Sequence, residues 1–180
     1  RYGGTVYWFM TAEFGGVLVA VLVMQFLIPA RPREKPVSSH VLADVVWFFY
    51  AIVLGTFAIA SYAVWVAAFF ERHFPSLRLT ALDAWPVGFR FLAVFLFIDF
   101  MAWLQHYAQH KIPVLWQFHA VHHSQTELNF FSDSRLHLFD YLLRSTVYVV
   151  PLIVLHVSSP VIFAYAIFER WYSRFYHSNL

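Results

Sequence analysis

The sequence predicts an all-α integral membrane protein with three transmembrane helices, a broken hydrophobic hairpin and a histidine-rich cytoplasmic cap. Of its 180 residues, 61% are hydrophobic and only 12% are charged, whereas a soluble domain carries about 25% charged residues. The apolar residues are gathered into long runs, and half of the ten histidines fall within one short stretch. The composition therefore excludes an ordinary soluble domain and a disordered chain. The formal net charge of +2 gives no reason to expect a nucleic acid partner, and the absence of cysteine excludes thiolate metal ligands.

Three runs with few charges are long enough to cross a bilayer, which requires about 20 predominantly apolar residues. The first covers 7–28 and is followed by a loop that contains three prolines and three cations. The second covers 45–70, and the third covers 87–105 with Asp99 inside it. We expect Pro113 to end the third helix, because proline removes a backbone hydrogen bond and clashes with the preceding turn.

A fourth apolar segment, 145–168, is interrupted by Pro151 and by a turn signal at 157–160. It is either one kinked span or two short helices that form a hairpin. The hairpin places eight Lys and Arg residues on the histidine side and four on the other side, whereas a full span places six on each side. Because cytoplasmic loops carry an excess of Lys and Arg, the count favours the hairpin and puts the histidines in the cytoplasm.

The histidines between the third and fourth apolar segments have the spacing of metal ligands. The first two are separated by four residues on a helix, so they share a face, and the last three share a face if they too are helical. Imidazole binds iron, zinc, copper and nickel. Five such ligands exceed the four of one tetrahedral zinc ion, so the pattern favours two metal ions. The set consists of His106, His110, His119, His122 and His123.

Three further residues are candidates for the same centre. His137 is either a ligand or a surface residue, and His177 reaches the cluster only if the hairpin forms. Asp99 lies seven residues before His106, about 10 Å lower along the helix. A carboxylate inside a span is costly and usually functional, so we expect Asp99 to orient a ligand imidazole or to pair with a cation. The remaining histidines, His40, His73 and His156, are expected to be structural.

The paired motifs His106-x-x-x-His110 and His119-x-x-His122-His123, the second within the run Leu115–Ser124, resemble those of the fatty acid hydroxylase superfamily. This superfamily includes sterol desaturases, sterol methyl oxidases and carotenoid hydroxylases. The residues Asp99, Arg135-x-His137 and His177-Ser178-Asn179 are also similar to the family pattern, most of all to that of bacterial sterol desaturase-like members. The resemblance covers roughly residues 95–180.

The resemblance implies a non-haem oxygenase with two histidine-ligated iron ions, although zinc can occupy such sites in purified samples. Such enzymes hydroxylate or desaturate a lipid with O2 and electrons from a cytoplasmic carrier such as cytochrome b5 or ferredoxin. The implied location is the bacterial inner membrane rather than the endoplasmic reticulum. We expect residues 1–180 to form one membrane domain, with the histidine motifs in 87–180. The chain starts at Arg1 and stops at Leu180 before the family's third histidine motif, so we expect it to be a piece of a longer protein.

Two other functions are weighed against this one. A metal transporter or membrane metal-binding protein should carry polar residues through several spans, and here only Asp99 is clearly within one. A membrane cytochrome should carry haem-ligating histidines in mid-span. The sequence identifies no substrate-binding residue, and it does not distinguish a sterol from a fatty acyl substrate.

Overall fold

The computed structural model describes residues 2–31, 39–54, 57, 60–77 and 80–180. These residues form helices and turns, with no β-strand among them. The helices are α1 (Tyr2–Leu27), α2 (Val41–Val53), α3 (Ala60–His73), α4 (Val87–Lys111), α5 (Pro113–His119), α6 (Leu138–Val154) and α7 (Ser159–Tyr176).

Helix α4 is, within the described part of the chain, the one helix long and apolar enough to cross a membrane. It has 25 residues and a mean hydropathy of 1.9 over its apolar stretch. The predicted first span, 7–28, falls on α1, and Gly15–Leu27 forms an apolar stretch among its described residues. The predicted second span, 45–70, falls on α2 and α3, and part of their junction lies outside the described residues.

Helices α4 and α5 are separated by a sharp bend at Ile112, whose backbone is extended (φ −98°, ψ 114°). Pro113 occupies the first turn of α5, where its missing N–H is tolerated. The prediction that Pro113 ends the third helix is therefore confirmed. The bend turns α5 back against α4, so side chains from the two helices meet at one end of the molecule.

Helices α6 and α7 form an antiparallel hairpin. Pro151 lies inside α6 without ending it, and the chain reverses after Val154. His156 in the turn has φ of 49°, a left-handed conformation that non-glycine residues rarely adopt. Arg144 of α6 donates to Glu169 of α7 over 2.6 Å. Of the two alternatives for the fourth apolar segment, the structure contains two helices joined by a turn.

Two small apolar clusters hold these helices together. Val94 and Ile98 of α4 pack against Val161 and Tyr165 of α7, with side chains of α6 around them. A second cluster joins Val17 and Val21 of α1 to Phe130 and Leu180. Helix α7 thus packs on α4, and its C-terminal end is brought beside the C-terminal part of α4.

We expect Ile98→Ala to destabilise the protein by about 2–5 kcal/mol, because it leaves a cavity at a fully buried contact between α4 and α7. The matched control is Leu96→Ala on the same helix, where the side chain is 56% exposed. The thermal denaturation midpoint of each purified variant in detergent measures the difference. Equal midpoints for the two variants would contradict this packing.

Candidate metal centre

Four histidine rings from α4, α5 and the following turn converge at one end of the molecule. One ligand atom from each of these rings lies within 4.8 Å of the others, and the four residues are His106, His110, His119 and His123. The Nε2 atoms of His106 and His110 are 2.9 Å apart, and those of His119 and His123 are 3.2 Å apart. The i and i+4 spacing on α4 places the first pair on one face, as the sequence predicts.

A second pair of histidines adjoins these four. The Nε2 atoms of His122 and His177 are 3.2 Å apart, although the two residues are 55 positions apart in the sequence. The ring centroid of His122 lies 5.4 Å from that of His119 and 5.2 Å from that of His123. The structure therefore brings the five histidines of the two sequence motifs together, and it adds His177 through the α6–α7 hairpin.

The second motif reaches the cluster through a turn rather than through a continuous helix. Helix α5 ends at His119, and residues His122–Ser124 form a single 3₁₀ turn. The expectation that the second histidine motif is helical therefore holds only up to His119. The tighter turn still directs two rings to one side, so His123 faces His119 while His122 faces His177.

Three rings have an acceptor beside Nδ1, which orients Nε2 towards the cluster. His177 Nδ1 donates to the Ser173 carbonyl over 2.9 Å, and His122 Nδ1 donates to the Arg135 carbonyl over 3.2 Å. His119 Nδ1 lies 3.7 Å from Oδ2 of Asp140. An N–H at Nδ1 leaves the Nε2 lone pair available, which is the arrangement that metal-ligating histidines adopt.

Asp140 is the buried carboxylate closest to the four-ring group, with only 2% exposure. Gln109 donates to its Oδ1 over 2.7 Å, and Gln105 donates to Gln109 over 3.2 Å. Its other oxygen and His119 Nδ1 have no hydrogen-bond partner. The two glutamines were missed by the sequence reasoning, although their i and i+4 spacing on an apolar helix is the same signal that the histidines gave.

Asp44 of α2 anchors the loop that follows the second histidine motif. Its side chain is 1% exposed and accepts hydrogen bonds from Arg135 (3.1 Å), Gln125 (3.1 Å) and Asn129 (2.7 Å). Because the Arg135 carbonyl receives the N–H of His122, this carboxylate fixes the position of that ring indirectly. No sequence pattern indicates this role, since Asp44 lies some 80 positions before the loop.

A second group of charges lies beside His177. Asp133 Oδ1 is 3.5 Å from His177 Nδ1, and Asp133 is paired with Arg144 (3.4 Å) and Arg174 (3.8 Å). Burial opposes ionisation, yet the two guanidinium groups hold the pKa of Asp133 below its usual range. The carboxylate therefore stays ionised and favours a hydrogen bond or positive charge at His177.

Three of the clustered histidines, His122, His123 and His177, have lowered pKa values that keep them neutral. Burial, together with the neighbouring His177, lowers the pKa of His122 to about 3. Burial also lowers the pKa of His123 and His177, in spite of the opposing charge of Asp133 at His177. A neutral imidazole is the form that binds a metal ion.

The remaining predicted residues lie elsewhere. The His137 ring packs on Phe118 with centroids 4.9 Å apart, and its Nδ1 accepts a hydrogen bond from the Phe139 N–H. Asp99 is exposed, and among the described contacts none joins it to a histidine. The roles of His137 as a ligand and of Asp99 as an orienting carboxylate stay predictions. His156 pairs with Asp83 at the turn between α6 and α7.

The donor set and its spacing fit metal ions. Two nitrogen ligands that each bind one ion at about 2.0–2.1 Å lie about 3 Å apart, which is the separation of the three Nε2 pairs. Neutral imidazoles bind iron, zinc or copper and are poor ligands for magnesium or calcium. The partnerless buried Asp140 oxygen would balance part of the charge of such an ion. A cavity of about 100 Å³ adjoins His106, His119, His122 and His177.

The sequence profile of the fatty acid hydroxylase family matches residues 91–180, the half of the chain that carries all six clustered histidines. A relative, the ornithine lipid hydroxylase OlsE of Rhizobium tropici, is 32% identical over 79 residues. The alignment covers 44% of this chain and 24% of the relative, so it spans about a quarter of that protein's length. No solved structure matches the chain.

We expect Asp44→Asn to reduce the metal content of the purified protein and to cost about 3–5 kcal/mol of stability, since it leaves the largely buried Arg135 without its carboxylate. Elemental analysis and limited proteolysis of the 122–137 loop measure the two effects. The control is Asp83→Asn, whose carboxylate is 43% exposed and should change neither. Unchanged metal content in Asp44→Asn would show that this anchor does not position the ring of His122.

The lowered histidine pKa values predict that the metal-free protein loses stability as the pH falls from about 6.5 towards about 3. Over this range the histidines of the unfolded chain bind protons, whereas His122 and its neighbours in the folded protein do not. The thermal midpoint should therefore be lower at about pH 5 than at about pH 7.5. A His122→Gln variant should show a shallower dependence, and an identical slope in both proteins would contradict the assignment to this ring.

Proposed function

The chain belongs to the fatty acid hydroxylase family, and from this premise we propose that it is a membrane-bound oxygenase that hydroxylates a lipid at a histidine-ligated pair of iron ions. The observation that carries the proposal is the convergence of six imidazole rings, from α4, α5, the following turn and the end of α7, with their Nε2 atoms facing one another in pairs. Chance packing of surface histidines does not place so many basic nitrogens in one group, because each pair of lone pairs repels.

The reaction we propose replaces a lipid C–H bond by C–OH. One atom of O2 enters the lipid and the other leaves as water, which requires two electrons and two protons. When bound, the iron ions supply this oxygen chemistry. We propose that the electrons come from a cytoplasmic carrier, as the resemblance to the fatty acid hydroxylase family implies.

Backbone and side-chain groups of the protein keep the ligands in the correct form. Backbone acceptors at Ser173 and Arg135 hold the N–H of His177 and His122 on Nδ1, so Nε2 is presented to the ions. Gln105 donates a hydrogen bond to Gln109, and Gln109 donates one to Asp140, so the Asp140 carboxylate is held beside His119. These contacts fix the orientation of the histidine rings and the position of the carboxylate before a substrate binds.

The substrate we propose is a membrane lipid. The relative's name gives an ornithine lipid as its substrate, and the family name gives fatty acids. Both are amphiphiles, and the end of α4 that carries His106 and His110 follows an apolar helix long enough to cross a bilayer. We propose that the centre lies on the cytoplasmic side of a bacterial inner membrane, where the lipid and the electron carrier meet.

We expect His122→Ala and His123→Ala each to reduce bound iron and to abolish O2-dependent lipid oxidation. Loss of an outer partner of a ligand costs about 10–100-fold in affinity or activity, so loss of a ligand should cost more. Iron content is measured on purified protein, and lipid products are measured by mass spectrometry of membranes with and without O2.

The matched control is His156→Ala, since His156 lies in the α6–α7 turn and pairs with Asp83. It should retain iron and activity. Full activity in both His122→Ala and His123→Ala would refute the enzyme assignment. Retained zinc or iron without any O2-dependent product in the unmodified protein would favour a metal-binding protein instead.

A further inference from the structure

A large groove runs along one face of the α6–α7 hairpin, beside the histidine cavity. It measures about 590 Å³, within the range of about 300–1,000 Å³ that small-molecule sites occupy. Side chains at helical spacing line it from both helices, namely Tyr148 and Leu152 of α6 and Ile162 and Ala166 of α7. None of these side chains belongs to the clustered histidines.

The groove is polar at one end and apolar at the other. Arg144, Glu169, Asp133 and Arg174 line the end near the histidines. About 12 Å further along α6, Leu152 and Ile162 line the other end, and both also line a neighbouring cavity of about 300 Å³ that continues towards the turn. Because charged and apolar surfaces are separated along the groove, it fits an amphiphile rather than a fully apolar ligand.

The accessible charges at the polar end are one cation and one anion. Arg144 Nη2 and Glu169 Oε1 are 2.6 Å apart, with side chains 28% and 27% exposed, whereas Asp133 and Arg174 are only 11% and 13% exposed. Tyr148 also donates to Glu169 over 3.3 Å. A ligand with a single charge would satisfy one of the two partners and be repelled by the other. A head group that carries both charges complements the pair.

The groove adjoins the histidine cavity through this charged end. Asp133, Leu136, Arg144 and Tyr148 line both spaces. The polar end of an amphiphile in the groove therefore lies next to the histidines, while its hydrocarbon chain points away from them. A bare hydrocarbon end could approach the histidines from the groove only by displacing paired charges from their partners, which is costly.

We propose that the α6–α7 groove binds a single-chain lipid with a zwitterionic head group, with the head at Arg144 and Glu169 and the chain along Leu152 and Ile162. The assignment of this lipid as the substrate rests on the proposed function, and its binding does not. If the lipid is the substrate, oxidation falls at the polar end of the molecule.

The test uses a photoreactive lysophosphatidylethanolamine with a diazirine on its chain, added to the purified protein in detergent. Two comparison probes carry the same chain on an anionic fatty acid and on a neutral monoacylglycerol. Cross-linked residues are mapped by mass spectrometry. We expect the zwitterionic probe to label α6 and α7 about tenfold more than either comparison probe.

The variant Ala166→Trp fills the groove and should reduce this labelling about tenfold. The matched control Ala164→Trp lies two residues away at an exposed position that does not line the groove, so it should label as the unmodified protein does. Glu169→Gln removes the anion while retaining a hydrogen-bonding group, so it should abolish the preference for the zwitterionic probe and leave the chain in the groove. Metal content of each variant reports whether the histidine end has remained folded.

Equal labelling by all three probes, or labelling that Ala166→Trp and Ala164→Trp affect alike, would identify bulk lipid only and overturn the proposal. Preferential labelling of the groove in a protein that forms no oxidised lipid would support the groove and contradict the proposed function. The two proposals are therefore tested by separate measurements.

Discussion

The arrangement of this molecule depends on imidazole nitrogens that face one another at about 3 Å. Neutral rings in this position repel unless a proton or a metal ion lies between them, so the surrounding protein must hold them there. It does so with acceptors at Nδ1 and with helices that cross at one end. The bend at Ile112 returns α5 to α4, and the α6–α7 hairpin returns His177 to the same place.

Buried carboxylates form the second layer of this arrangement. Asp140 and Asp133 approach different rings from α6 and from the loop before it, and Asp44 holds the loop itself. Each is paired with a cation, an amide or a histidine, which offsets the cost of burying its charge. The negative charges also compensate for the positive charge that metal ions would bring to a low-dielectric end of the helices.

The ion pair between Arg144 and Glu169 connects the proposed metal centre with the proposed lipid groove. It closes the hairpin over 2.6 Å. Both residues line the α6–α7 groove, and Arg144 also lines the histidine cavity. This ion pair thus helps to set the distance between the clustered histidines and the α6–α7 groove. The groove can change without the loss of a clustered histidine, because none of those histidines lines it.

The sequence by itself determined the helical class, the two histidine motifs, the break at Pro113 and the metal chemistry that imidazoles support. These features are local, since a spacing of three or four residues fixes which side chains share a face. The tertiary structure alone decided that His177 joins His122, that Asp44 anchors the loop and that Asp140 rather than Asp99 lies beside a ring. Those contacts join segments tens of residues apart, and helical periodicity gives a residue's face without naming the distant helix that packs against it.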